Sequence, residues 1–315
     1  MRARLAAGLV ALVALALLAV AVAAPASAAR RPPSPVRDLQ IASAASDSLL
    51  VSWAPPRRQG SSPVIGYRVT ATAGTVTVSG STATITGLSP GNPVSVSVAA
   101  RNADGRSRTR TLQASTSSGA SQEAIDYYIS VALGCEYGCD GLPGAVRRFT
   151  GPVEWSVDGS VGDADRLTIS AIVADWNAAC PATPVSVATA ATTNPVRLHL
   201  VPLDQMATAV PQYVAGNWGF FWYWSNGDGS LQRGEVVVAT DISQSARDHL
   251  LREELTQVMG LSADTDGYPD SVFYGPWTET PAYSALDREL IRIHCLPVIR
   301  SGMTADEVRR ALAGG

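Results

Sequence analysis

The chain changes its hydrophobic rhythm near residue 118. Before that point, apolar and polar residues alternate in short runs separated by turn residues, the period of half-buried strands. Leu49-Leu50-Val51-Ser52-Trp53 stops at Ala54-Pro55-Pro56. Ile65 to Ala71, Thr75 to Val78, Ala83 to Ile85 and Val94 to Ala100 follow, with Gly87-Leu88-Ser89-Pro90-Gly91 as a turn. No window has a helical period, so residues 34–117 predict a small antiparallel sandwich with one buried Trp and no disulfide. Residues 114–122 are small and polar, the composition of a flexible linker.

Residues 123–315 mix both periods. Residues 146–157 read as extended with Pro152 interrupting. Asp163 to Ala179 is an amphipathic helix with Leu167, Ile169, Ile172, Val173 and Trp176 apolar. Strands are expected at 184–188, 196–201 and 235–240, and Trp218 to Ser225 as a long aromatic loop. Asp241 with Gln244 approximates a capping box, opening a helix to about Met259 that Gly260 stops. A last helix covers about Ser284 to Cys295, ended by Pro297. Alternating strands and helices predict an α+β or α/β domain, so the chain is multidomain, an all-β sandwich followed by an α+β unit.

Ahead of both, residues 1–28 carry Arg2 and Arg4, an unbroken apolar run from Leu5 to Ala23 and the small-residue site Ala26-Ser27-Ala28. This is the pattern of a cleaved signal peptide; a retained anchor is the alternative. The protein is therefore expected to be secreted or held at the cell envelope. No membrane contact is expected once the segment is removed.

Composition narrows the chemistry. Hydrophobic residues make up 46% and charged ones 16%, which excludes a disordered polyelectrolyte. All 24 basic residues are Arg, which excludes Schiff-base and Lys-centred phosphate chemistry. The net charge of −3 conceals an imbalance. Residues 30–117 hold ten Arg and three acids (+7), and residues 121–315 hold twelve Arg and twenty-four acids (−12). Arg57, Arg58, Arg101, Arg106, Arg108 and Arg110 would give the first module a basic surface for an anionic polymer, or are ordinary solvated loop and edge residues. Opposite charges would also let the two domains dock. Nucleic acid is not an expected partner; a cell-wall or extracellular polymer, polysaccharide or protein, is.

The most informative stretch is the helix from Asp248 to Gly260. At 100° per residue, Leu250, Leu251, Leu255, Val258 and Met259 share one half of the wheel, and Glu254 falls inside it. His249, Glu253 and Gln257 repeat every four residues on the adjacent flank. A carboxylate on a buried stripe is costly unless paired, hydrogen-bonded or protonated. Capping loop amides or pairing with Arg147 or Arg148 would be a purely structural reason for Glu254. The spacing supplies a second reason. Zinc peptidases carry H-E-x-x-H on one helix, extended in one subgroup by x-x-G-x-x-H. In that frame Glu254 takes the general-base position and Gly260 the turn, while Glu253, Gln257 and Ala263 stand where the three His ligands would. His249 and Asp264 lie one turn and one residue away. Only three His occur in the chain and none is on a ligand position of this frame, so zinc is not expected there; Glu253, His249 and Asp264 are the metal candidates around this helix.

Two family resemblances follow. Trp53 with Pro55-Pro56, Gly66-Tyr67, the Gly87-to-Gly91 turn and Ala99-Ala100-Arg101-Asn102-x-x-Gly105 resemble a fibronectin type III domain. Pro93-Val94 departs from its usual Thr-Tyr. Such domains are binding modules and spacers, and in bacterial exported proteins they often accompany polysaccharide-degrading enzymes. In the second half, Glu253-Glu254-Leu255-Thr256-Gln257-x-x-Gly260-Leu261 comes with Asp264, Pro269 to Tyr274, Leu286-Asp287 and Pro297-x-Ile299-Arg300-x-Gly302-Met303-Thr304. Upstream, Glu136-Tyr137-Gly138 and Val146 to Phe149 also fit. Together these resemble an uncharacterised domain-of-unknown-function family of bacterial exported proteins. The order of elements also resembles the metzincin fold, so the second domain is expected to be zincin-like.

The four cysteines, Cys135, Cys139, Cys180 and Cys295, are expected as disulfides. Cys135–Cys139 is local and Cys180–Cys295 would tie two helix ends; a zinc site from Cys135, Cys139 and His294 is the alternative. Trp218, Trp222 and Trp224 read as a sugar-stacking platform or as the core-facing part of their loop. The function expected is a binding module joined to a non-catalytic zincin-like domain. A hydrolase using Glu254 as acid/base, or an accessory protein of extracellular polysaccharide degradation, are the alternatives.

Overall fold

A computed structural model describes residues 30–137, 142–188 and 195–314; the signal segment and Cys139 lie outside the described residues. The first domain holds β1 (Arg37–Ala44), β2 (Ser48–Ala54), β3 (Gly66–Ala71), β4 (Thr75–Ser79), β5 (Thr82–Thr86), β6 (Pro93–Asn102), β7 (Gly105–Arg106) and β8 (Arg110–Ser115). One sheet has the order β1-β2-β5-β4; the other is β3-β6-β7, with β8 also on β6. Alternation along β2 places Leu49, Val51 and Trp53 inward against Ile85, Val96 and Val98. Trp53 meets Tyr67 edge-on at 5.1 Å between ring centroids. Val94 is fully buried, filling the inward position at the departure from the family pattern.

Residues 114–122 are not an extended tether. Ser115, Thr116 and Ser118 are buried. The Thr116 amide donates to the Asn92 carbonyl, that of Ser117 to Ala45 and that of Ser118 to Leu312. Small polar residues whose composition suggests mobility are held here by backbone pairing with both domains. The Arg292 guanidinium donates to the Ser118 carbonyl from the second domain at 3.2 Å.

The second domain begins with α1 (Gln122–Leu133), capped by the Ser121 hydroxyl, which accepts from the Ala124 amide. Then come β9 (Val153–Gly159), α2 (Asp163–Ala179), β10 (Val185–Val187), β11 (Val196–Val201), the short α3 (Met206–Ala209), β12 (Gly219–Ser225) and β13 (Leu231–Ala239). Three helices close the chain, α4 (Gln244–Gln257), α5 (Ala285–His294) and α6 (Ala305–Ala313). The sheet order is β10-β9-β11-β13-β12. Four strands are parallel, and β12 is an antiparallel edge strand on β13. Val236 and Val238 of β13 join the main core, while Val237 and Ala239 pack on α3 through Met206 and Val210.

The structure departs from the sequence pattern at four places. Residues 219–225 form strand β12, not a loop; a run of aromatic residues pairs well on a pleated surface. Extended structure in the first segment starts at Val153, after Pro152. The N-cap of α4 is Ser243, whose hydroxyl accepts from the Ala246 amide, while Asp241 accepts from the Leu203 amide. Helices α1 and α6 lie outside the elements that periodicity predicts. Cys180 and Cys295 are disulfide-bonded, joining the ends of α2 and α5 as expected. Cys135 is also disulfide-bonded, so it has no thiolate to offer the alternative zinc site.

Candidate functional site

Helix α4 packs against β12 and β13 and is buried on almost every side, including His249, Arg252, Glu254 and Gln257. Its polar residues are therefore each accounted for by a partner or by a cleft. Arg252 reaches Asp175 at 2.9 Å and the Pro281 carbonyl at 3.0 Å, with its guanidinium over the Tyr283 ring. Gln257 donates to Asp264 at 2.7 Å. The next turn ends at Gly260, whose φ of +106° places the chain against the Arg147 carbonyl, a conformation that favours glycine.

Beside α4 lies a cleft of about 360 Å³. It is lined by Leu250, Glu253, Glu254 and His249 from α4 and by Glu136 and Tyr137, just after α1. Trp218 and Gly219 enter from the start of β12, and Asp264, Tyr274 and Trp277 from the loop after α4. Among the described residues that line it there is no Arg, and the chain has no Lys.

Glu254 is 4% exposed, and its Oε2 has no hydrogen-bond partner. Burial first, then the charges of Glu253, Glu136 and Asp264, push its carboxyl well above the ordinary glutamate range. Burial and the Glu253 and Glu136 charges raise Asp264 to about 8, against the lowering bond from Gln257. Glu136, an exposed residue at the rim, is raised to about 7 by desolvation in the cleft wall and by Glu253, against a lowering bond with Tyr137. His249 is raised as well. Burial pulls it down, but the 3.3 Å contact with Glu253 and the bond to the Thr280 carbonyl outweigh that and raise it. These acids cannot all hold charge together.

The sequence-derived candidates are thus partly brought together. Glu254, Glu253, His249, Asp264 and Trp218 share the cleft. Trp222 and Trp224 do not line it: Trp222 stacks on Phe220 at 6.4 Å, and Trp224 lies under the Arg233 guanidinium at 3.6 Å. A pairing of Glu254 with Arg147 or Arg148 does not occur. Arg147 donates to the carbonyls of Leu142 and Ala145, and Arg148 to those of Ile299 and Leu296. His294 is buried between Tyr128 and Met259. The Met259 carbonyl can only accept, so His294 Nε2 carries the hydrogen and the Tyr128 hydroxyl donates to Nδ1; burial pushes its pKa down to about 3. His199 pairs with Glu235 at 2.9 Å across β11 and β13. Glu136, Tyr137, Tyr274 and Trp277 join the site without being candidates on sequence grounds. The first three sit inside the family signature, but Trp277 carries no signal of its own.

On the first domain, Arg37, Arg57, Arg58 and Arg110 border a groove of about 560 Å³. Arg101, Arg106 and Arg108 are exposed elsewhere on the domain.

Fold and cleft together define a β-sandwich joined to a mixed α/β domain with an acidic, aromatic cleft. The chain belongs to the family described as protein of unknown function (DUF2927), whose model matches residues 121–314. A fibronectin type III domain matches residues 34–117. No curated protein matches the chain. Among solved structures, domains A168–A170 of titin are 23% identical over 27% of this chain and 32% of theirs, with a TM-score of 0.25. A chitinase from Bacillus thuringiensis is 25% identical over 29% of this chain and 14% of its own, also with a TM-score of 0.25. The chain spans a third or less of these structures.

Proposed function

We propose that this is an exported cell-envelope protein whose second domain is a zincin-like fold acting in binding rather than as a His-ligated zinc hydrolase. The element order supports the fold: α2, β10 to β13, α4, the Gly260 turn and α5 follow the metzincin-like sequence of elements. The donor set carries the functional reading. At the three ligand positions stand Glu253, engaged with His249, Gln257, engaged with Asp264, and the methyl group of Ala263. Such a set does not fit tetrahedral zinc, which takes Cys, His or carboxylate donors. The basic face of the first module favours an anionic or mixed cell-wall polymer as its partner.

Metal analysis of the purified full chain tests this. Zinc well below one equivalent, unchanged in Glu253→Ala and Glu254→Gln, is expected; one equivalent lost in those variants overturns it. Co-sedimentation with purified cell-wall glycan, reduced in an Arg57→Ala/Arg58→Ala variant, tests the binding arm. One observation favours a hydrolase as a second reading: Glu254 and Asp264 are carboxyls of raised pKa lining one cleft, the state a general acid requires. Glycan or peptide cleavage abolished by Glu254→Gln would decide for it.

A further inference from the structure

The cleft combines features that select one kind of ligand. Four carboxyl groups converge from three chain segments, Glu136 after α1, Glu253 and Glu254 on α4, and Asp264 beyond its end. Glu254 Oε2 is an unpartnered acceptor on a side chain more than nine-tenths buried, and it lines the cleft. At the mouth, Trp218 and Trp277 pair edge-to-face at 5.3 Å while remaining 43% and 54% exposed. Exposed Trp residues at a concave mouth present negative ring faces to an incoming group.

We propose that this cleft binds an organic nitrogen cation, an alkylammonium or guanidinium group, seated on the Glu254 carboxyl and covered by Trp218 and Trp277. Burial and mutual repulsion disfavour the charged form of these acids, and a bound cation offsets both by drawing Glu254 into its ionised form. An anion or a neutral ligand offers no such compensation. A nitrogen cation supplies N–H donors to carboxylate oxygens and a positive charge to aromatic faces, and both interactions strengthen where water is excluded. The volume of about 360 Å³ accommodates a single such group with its alkyl stem. His249 does not compete for this role, since its ring nitrogens face Glu253 and the Thr280 carbonyl.

This inference rests on the binding reading above, and one preparation separates their failures. The purified full chain is titrated calorimetrically with methylguanidinium and n-butylammonium, and with methylurea as the uncharged counterpart of the first. Saturable binding of the cations, at least about tenfold tighter than methylurea, is expected. Trp277→Ala, at an exposed position, should weaken it several-fold without disturbing the fold, and Glu254→Gln by about tenfold or more. Equal affinity for methylguanidinium and methylurea, or an undiminished affinity in a folded Trp277→Ala variant, overturns the proposal. Zinc is measured in the same sample. A zinc-free protein that ignores the cations defeats this inference alone, whereas one equivalent of zinc defeats the binding reading. Nα-acetylarginine amide and glucosamine, as further arms, show whether a peptide side chain or an amino sugar supplies the cation.

Discussion

The carboxyl of Glu254 occupies the space that a side chain on Gly219 would need. A β-carbon at Gly219 would stand 2.5 Å from Glu254 Oε1 and 2.9 Å from Leu250 Cδ2. Glycine at the start of the edge strand therefore sets how closely α4 approaches β12, and with it the depth of the cleft.

Gly219→Ala should destabilise the second domain by about 1–3 kcal/mol, because the added methyl meets both Glu254 and Leu250 on the buried face of α4. Glu254→Ala in the same chain should relieve part of that, so the two substitutions will not add. Urea unfolding of the two single variants and the double variant measures the coupling. Additivity within about 0.3 kcal/mol would show that the two residues do not share this space.

Glu254 itself yields the second prediction. Burial disfavours the charged form of the Glu254 carboxyl, so in the unliganded chain Gln, an uncharged group of the same shape, suits its surroundings. Glu254→Gln is expected to hold stability within about 1 kcal/mol of the parent, whereas Glu254→Ala costs about 2–4 kcal/mol through the cavity it leaves. A loss in the Gln variant as large as in the Ala variant would mean an ionised, paired carboxylate instead.

The amphipathic wheel of α4 singles out Glu254 from the residue pattern alone, because a buried carboxyl violates the pattern of its neighbours. The same wheel puts His249 and Gln257 on a flank that is in fact buried: periodicity reports one face, but α4 lies beneath β12, Thr280 and Tyr283 at once. Strand β12 resembles a loop in sequence because Phe220 to Trp224 is apolar at every position. An edge strand with one face on the main core and the other on the α3 cluster has no alternation to display. The sandwich is more legible, since each β2 residue alternates against a single core. Glu136 joins the cleft from more than a hundred residues before Glu253, and Trp277 meets Trp218 across a long stretch of chain, separations that no local pattern encodes. Arg147 and Arg148 look like partners for Glu254 by charge alone, yet backbone carbonyls take both guanidinium groups.

Stability should fall as pH rises from about 6.5 to about 8.5. Asp264 and Glu136 titrate near 8 and 7 when folded, above their ordinary 3.8 and 4.5. Between the two values the folded chain holds protons that the unfolded chain has lost, so stability declines with pH and levels off above the folded pKa. Glu254 acts in the same direction. His249, also raised, adds stability below 6.5 that is lost as pH climbs through its folded pKa. His294 has the opposite sign: lowered to about 3 from 6.5, it contributes fully above 6.5 and loses that contribution only as pH falls toward 3. Over the alkaline window, then, the cleft acids and His249 set the slope. The urea midpoint of the second domain should drop across it, and Asp264→Asn should flatten the curve. A midpoint that rises, or a slope indifferent to Asp264→Asn, contradicts the crowded-carboxyl account.

The Cys180–Cys295 disulfide spans 115 residues and ties the end of α2 to the end of α5 inside the core, where Cys180 is fully buried and Cys295 nearly so. Closing a loop of that length removes much of the freedom of the unfolded chain, by about 4–5 kcal/mol on the chain-entropy model. A Cys180→Ser/Cys295→Ser variant should therefore lose about 3–5 kcal/mol in the second domain. The sandwich contains no cysteine, and its core of Leu49, Val51, Trp53 and Ile85 is separate from the one the disulfide closes. Calorimetric scans should accordingly show the transition of the second domain moved down and that of the sandwich left in place. If both transitions shift together by the same amount, the two domains unfold as one unit, and the packed segment from Ser115 to Ser118 is what couples them.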